Sequence, residues 1–503
     1  MRRIPVSLFL PGLMIFLILT ACSRKKTEVV WSQSLPGLGS QSSPRATDLN
    51  GDGALDLVIG AGKNENQPSD QGILAFDGIT GRELWRQSSP DQVFGTATLY
   101  DVTGDGVDDV FIGGRSCHFK AMDGTNGEII WSYEYKYQDD PILKHARFNF
   151  YSCVLTSDQS GDGLADLLVQ NGGNSKIGPH VEEGRFPGVL MLMDSRSGAV
   201  IAADTMPDGK ESYMTPLYFR QPDGEEYILF GSGGETIKGH LYLARLADLV
   251  NRDLSSARPI ATEEGHGFIA PPVLADITGD GYLDVAAISH ASTVLAIDGR
   301  SWEEIWRRQI PNTESSNSLA VGNFTGDDTP DFLAFVSKGV WPNNTGALHI
   351  ALDGKDGSVV YEESLGCTGF SSPVVYDLNG DGFDEAIISI NEYDCSRRFD
   401  DQSPLDITSK LIAVDIHNRR VNPIDLRPTF KNIFTTPWIG DLDQDGYLDI
   451  VHCQYYSPSV FLLAFLGMEI KRISTSIRVE EPVVWGAYLG SNGDGVFEAN
   501  ALE

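Results

Sequence analysis

Basic side chains are scarce. Lys and Arg number 38 against 70 Asp and Glu, a formal net charge of −32 over 503 residues. Such a surface repels the phosphate backbone of nucleic acids, which excludes them as partners. It also repels anionic headgroups, which excludes membrane docking through a basic patch. Cysteine is scarce too, and six in a chain of this length cannot build a disulfide-dense scaffold. Past residue 22 no run reaches the about 18 uninterrupted apolar residues that a spanning helix needs. The nine histidines show no HExxH or other metal-ligand spacing, and neither a GxSxG elbow nor a Walker loop is present. No catalytic residue is therefore nominated. Glycine (53) and proline (25) are abundant, which favours many short strands and turns over helices. The 41% hydrophobic and 21% charged content excludes wholesale disorder.

The opening residues read as an export signal. Arg2 and Arg3 precede an apolar stretch over 4–19, which Pro5, Pro11 and Gly12 interrupt. It ends Leu19-Thr20-Ala21-Cys22. A plain signal peptide or a membrane anchor would share the apolar run. Small residues leading into a lone cysteine instead resemble the bacterial lipobox. That resemblance implies a signal peptide over 1–21, lipidation at Cys22, a tether over 22–30 and a folded body over 31–503. The expected location is the bacterial cell envelope, with membrane contact through the lipid alone and the body in the periplasm or outside the cell.

One acidic phrase recurs. It reads DLNGDGALD from Asp48, DVTGDGVDD from Asp101, DQSGDGLAD from Asp158 and DITGDGYLD from Asp276. It continues as NFTGDDTPD from Asn323, DLNGDGFDE from Asp377 and DLDQDGYLD from Asp441. The interval of 118 between the third and fourth copies is twice 59, so a degenerate unit belongs near position 217, where Gln221-Pro222-Asp223-Gly224 separates two strand-like runs. A partial copy, GSNGDGVFE, begins at Gly490. Strand-like runs flank each phrase, and a third run enters a glycine-rich turn before a fourth, as in GILAFDGITGRELWR over 72–86. Four antiparallel strands per unit, repeated in series, predict an all-β chain forming a single β-propeller. The count gives eight four-stranded blades and allows nine if the Gly490 copy is shared with the N-terminus. Residues 27–35, with Trp31, read as a stray fourth strand that closes the ring against the C-terminal strands. Two separate sandwiches are the alternative, and the near-even period without a linker disfavours them.

In the first phrase Asp48, Asn50, Asp52 and Asp56 hold positions 1, 3, 5 and 9. Alternating oxygen ligands on a glycine-permitted curl suit calcium, with the Ala54 carbonyl as a further donor. The same positions are Asp101, Thr103, Asp105, Asp109, then Asp158, Ser160, Asp162, Asp166, then Asp276, Thr278, Asp280, Asp284. They recur as Asn323, Thr325, Asp327, Asp331, with less charge, then Asp377, Asn379, Asp381, Glu385, and Asp441, Asp443, Asp445, Asp449. An Asx-Gly turn alone could cap a hairpin without metal, but the acid at position 9 exceeds what such a turn needs. Across nearly the whole mature chain, these motifs resemble the FG-GAP and VCBS repeats of integrin-like propellers. The resemblance implies several structural Ca²⁺ ions at the hairpins joining first and second strands, and partner binding on the opposite face. The turns AFDGITGRELW, AMDGTNGEIIW and AIDGRSWEEIW are similar to the PQQ-like repeats of quinoprotein dehydrogenases and of an outer-membrane assembly scaffold lipoprotein. There they mark a strand-turn-strand with a packed tryptophan and do not themselves bind quinone.

Cys367 lies ten residues before Asp377 and Cys395 ten after Glu385, so one hairpin sets them face to face, which predicts a disulfide over the alternative of two free thiols. Cys117, Cys153 and Cys453 are left over. The longest loops of the ligand face span 171–188, 391–409 and 133–148. On them and their neighbours the candidate partner-binding residues are Tyr137, Arg147, Arg185, Trp341, Tyr393, Arg397, Arg398 and Tyr455. The expected function is a tethered propeller that binds, adheres or scaffolds through a protein or glycan ligand. A propeller enzyme, either a quinone-dependent dehydrogenase or a polysaccharide lyase or hydrolase, is the alternative.

Overall fold

The computed structural model describes residues 27–174, 176–341, 343–397, 406–457 and 464–498. The leader, Cys22 and Arg398 lie outside the described residues. Eight antiparallel sheets follow one another around an axis as the blades of a β-propeller. The first blade shows the pattern, with strands Arg45–Thr47, Asp56–Gly60, Ser69–Phe76 and Glu83–Ser89. Its second strand is buried at every position, because both sheet faces meet neighbouring blades. Its fourth strand, ELWRQSS, turns charged and polar residues outward and so protects the blade edge from stray pairing.

Blades two to seven begin at Thr98–Tyr100, Val154–Thr156, Leu217–Arg220, Val273–Ala275, Ala320–Gly322 and Val374–Tyr376. The degenerate unit is thus a full fourth blade. It carries a short helix, Leu246–Val250, where the other blades up to the seventh have a tight turn between third and fourth strands.

The eighth blade closes the ring. Its inner strands are Trp438–Gly440, Tyr447–Tyr456 and Gly467–Arg478, and its fourth is the N-terminal Glu28–Pro36, antiparallel to the third. The expected closure is therefore present, but its partner is the unit begun by Asp441. The Gly490 copy forms no ninth blade. Residues 483–497 instead cross the ring interior. Trp485 and Gly486 carbonyls accept from Val375 N (2.9 Å) and Ile439 N (2.7 Å), and the Gly495 carbonyl accepts from Leu274 N (2.8 Å). Val496–Phe497 then pairs in parallel with the first strand of the fifth blade. Buried Arg45 fastens the crossing by donating to the carbonyls of Tyr488 (2.6 Å) and Gly490 (3.0 Å).

The tryptophans bind blade to blade. Trp31, Trp85, Trp131 and Trp306 stand on fourth strands and donate Nε1–H to carbonyls of the next blade's turn, at Gly78 (2.8 Å), Gly124 (2.7 Å), Ser195 (2.7 Å) and Gly354 (2.6 Å). The Trp31 ring lies against Gly81, whose φ of +71° and contact, 2.5 Å from an added Cβ to the ring, both require glycine. Trp31 thereby joins the last blade to the first. Trp31→Ala should cost about 3–5 kcal/mol in urea unfolding by opening that junction. Trp31→Phe, which loses the hydrogen bond but keeps a ring, should cost distinctly less.

Candidate functional site

Two groups of loops lie at opposite ends of the blades. At one end are the acidic hairpins between first and second strands. Their positions 1, 3 and 5 are exposed or half-buried and position 9 is buried throughout. Position 1 folds the tip: Asp48 accepts from Gly51 N (2.7 Å) and Gly53 N (2.9 Å), and Asp158 from Gly161 N (2.6 Å) and Gly163 N (2.8 Å). Those N–H groups hold the Asp158 carboxyl below its ordinary pKa.

Position 9 has a task that the sequence does not reveal. Asp56 accepts from Leu49 N (3.0 Å) within the hairpin and from Gly78 N (2.9 Å) in the turn between third and fourth strands. Asp109, Asp284 and Asp331 make the same bridge, to Gly124, Gly299 and Gly354. The acid thus ties the two turns of a blade together. Burial pushes Asp56 up to about 6 and Glu385 up to about 8.

The donor set at each tip is all hard oxygen, which fits calcium in kind. Convergence differs between loops. Among the described residues, the acids Asp441, Asp443 and Asp449 of the eighth blade bring their oxygens within 4.8 Å of one another. There the Arg472 guanidinium, 1% exposed, pairs with Asp443 and with Asp449 (2.8 Å).

At the other end the blade connections and the loops between second and third strands surround a funnel of about 520 Å³. Each blade or its connection supplies wall residues, and Tyr488 of the crossing segment reaches it from below. One aromatic arc runs Phe94, Tyr151, Tyr213, with ring centroids 5.3 and 6.4 Å apart. Another runs Trp341, Phe370, Phe434, at 5.6 and 5.7 Å. Arg115 pairs with Glu65 at 2.6 Å, and Arg185 pairs with Glu211 and donates to the Gly178 carbonyl at 2.8 Å. Tyr213 Oη donates to Glu211 at 2.7 Å. Glu314 accepts from Trp341 N at 2.7 Å beside buried His290, whose imidazole burial pushes down to about 4.

Of the candidates named from sequence, Arg185 and Trp341 line this funnel. Tyr137 packs on Tyr133, and Arg147 lies 4.5 Å over the Phe186 ring. Arg397 caps a turn through its N–H to the Asp394 carbonyl, and Tyr393 is half-buried with its hydroxyl enclosed. Tyr455 is corrected: it lies within the second strand of the eighth blade, 1% exposed and packed on Phe465, so it offers nothing to a partner. Cys367 and Cys395 form a disulfide beside this face, while Cys117, Cys153 and Cys453 are free thiols.

The sequence reading missed Glu211, Glu235, Tyr213, Phe94 and Phe434. A signal for some of them existed. Gln41, Phe94, Tyr213, Ile269, Phe370 and Phe434 each stand four residues before a first strand and each line the funnel.

Residues 276–334 match the FG-GAP-like repeat family. The chain is 24% identical over 408 residues to Protein FAM234B of Homo sapiens, covering 75% of this chain and 61% of that protein. It is 22% identical over 387 residues to Protein FAM234B of Gallus gallus, covering 72% and 58%. The chain therefore spans about three fifths of the length of the curated relatives it matches. Among solved structures, a europium-containing methanol dehydrogenase superposes with a TM-score of 0.56 at 11% identity, covering 89% of this chain and 93% of that one. The quinohemoprotein alcohol dehydrogenase ADHIIG from Pseudomonas putida HK5 gives 0.53 at 10% identity, covering 91% and 77%. At such identities what is shared is the propeller fold. The chain is an eight-bladed β-propeller whose residues 276–334 match the FG-GAP-like repeat.

Proposed function

We propose that this chain is a non-catalytic binding propeller, exported and lipid-anchored at Cys22 in a bacterial cell envelope. Its hairpins carry structural calcium, and its funnel takes a protein or glycan ligand. The observation that carries the reading is the funnel itself. Its walls come from loops all around the ring, and the chain's own C-terminal segment crosses beneath it. A pocket of about 520 Å³ walled by aromatic rings and by polar and charged side chains lies in the range that holds ligands. The hairpin face, by contrast, spends its carboxylates on its own loops.

Calcium in this reading is held by positions 1, 3 and 5, the carbonyl of position 7, and position 9, as at Asp48, Asn50, Asp52, Ala54 and Asp56. In the eighth blade Arg472 already supplies the positive charge.

A photoreactive benzoylphenylalanine replacing Phe94 in the funnel should capture a partner in intact cells, while one replacing Asp52 on a hairpin tip should not. Equal capture at both, or none at either, removes the binding reading. Chelation of divalent ions should lower the melting temperature of the purified full-length chain by roughly 5 °C. An unchanged melting curve, with no metal co-purifying, removes the calcium. Arg472→Met leaves Asp449 without its buried countercharge, at a cost of about 3–5 kcal/mol in urea unfolding. Added calcium should recover part of that loss in the variant, because the three converged acids then lack their cation.

A further inference from the structure

Between the two aromatic arcs the funnel wall is acidic, and its positive charges are already spent. Arg115 is held by Glu65, and Arg185 by Glu211, Tyr213 and three carbonyls. Glu235 remains. It stands open to the funnel on the loop of the fourth blade, and no hydrogen bond or ion pair reaches its carboxylate from the described residues. Glu314, behind the wall, adds charge of the same sign. Glu211 keeps one carboxylate oxygen, Oε2, fully buried and without a partner, although the residue is only 1% exposed. One acceptor, the Glu235 carboxylate, therefore faces the cavity without a donor, while Glu211 Oε2 is buried without one. Burial, with Glu314 next in size, raises the Glu235 carboxyl above its ordinary pKa, and Arg185 offsets part of that rise.

The carrier of Glu235 is fixed in place. Its own carbonyl lies 2.6 Å from His266 Nδ1. The preceding Gly234 donates N–H to the Ile237 carbonyl (3.0 Å) and accepts from Gly267 N (2.8 Å). The Tyr213 ring packs on Gly234, where an added Cβ would come within 3.0 Å of it. The carboxylate is thus presented beside an aromatic face by a loop that neighbouring loops hold, so little ordering remains to be done on binding.

We propose that the funnel binds an organic cation, an ammonium or guanidinium group seated against Glu235 and Glu211 and flanked by the rings of Tyr213 and Trp341. This rests on the reading of the funnel as a ligand site and names the chemistry it takes. An ammonium brings three donors and a guanidinium five, and neither brings an acceptor, which matches the unmet acceptors. Aromatic faces add cation–π attraction that strengthens as water is excluded. A surface of net charge −32 draws cations toward the opening. A free amine and a basic side chain of a peptide share this chemistry.

The test is calorimetric titration of the purified full-length chain with four probes: spermidine, a blocked tripeptide with a central lysine, the same peptide with glutamine, and maltotriose. The lysine peptide should bind at least tenfold more tightly than its glutamine counterpart. Glu235→Gln should weaken the cationic probes about tenfold, or about 1.4 kcal/mol. Trp341→Ala should weaken them as well. Glu128→Gln, on the exposed rim of the second blade, should change nothing. The ratio of spermidine to lysine-peptide affinity tells a free amine from a side chain. Equal binding of the lysine and glutamine peptides, or cation affinity untouched by Glu235→Gln, overturns the proposal. If maltotriose binds and Trp341→Ala abolishes it, the funnel remains a ligand site and the cation is wrong. If no probe binds and photocapture at Phe94 is also silent, both readings fall.

Discussion

A four-stranded blade has two apolar faces and no layer of its own to cover either. The second strands here are buried at nearly every position, so each blade is stable only between two others, and the first and last must meet. Glu28–Pro36 provides that meeting by entering the eighth blade as its outer strand, and Trp31 then docks on the first blade. The cost is a contact between residues more than 400 positions apart, which is slow to find. The gain is that every other blade junction becomes interior. Eight blades leave an axial space that side chains alone do not fill, and the segment over 483–497 occupies it. The funnel follows from that closure: the ring makes a channel, and the tail turns one end of it into a pocket.

Much of the fold was legible because it repeats. Seven copies of one phrase at near-even spacing announce blades, and the double interval before Asp276 announced the degenerate one. The tail was misjudged for the same reason. Gly490 to Glu498 has the local chemistry of a hairpin, but a hairpin needs a second strand to return along, and here Val496–Phe497 adds to an existing sheet instead. Local pattern fixes the turn, whereas the tertiary partner decides what it joins. The acid at position 9 is a similar case. Spacing alone makes it a ligand, yet the structure also gives it the N–H groups of two turns, a long-range contact no spacing can display.

The ligand face was legible as a face and poorly legible as residues. Loop length drew attention to 133–148 and 391–409, whose aromatics and arginines serve largely to hold the loops themselves. Arg147 on Phe186 and Tyr137 on Tyr133 are examples. The funnel is built largely from short connections, where a residue four before a first strand lines it in seven blades, and from the loop over 171–188, which adds Ile177, Pro179 and Arg185. Tyr455 failed for a different reason. Its neighbour Tyr456 is exposed and it is not, because alternation along a strand sends successive side chains to opposite faces.

Charge connects the two ends of the molecule. An excess of 32 negative charges would destabilise a compact ring through self-repulsion unless its acids were individually satisfied. The blades do this locally and repeatedly, with backbone N–H groups at Asp48 and Asp56 and with a guanidinium at Asp449. The same economy operates on the funnel wall, where Glu65 and Glu211 each have an arginine. Glu235 is the departure from it. The proposed cation would complete at Glu235 the pairing that the arginines give Glu65 and Glu211.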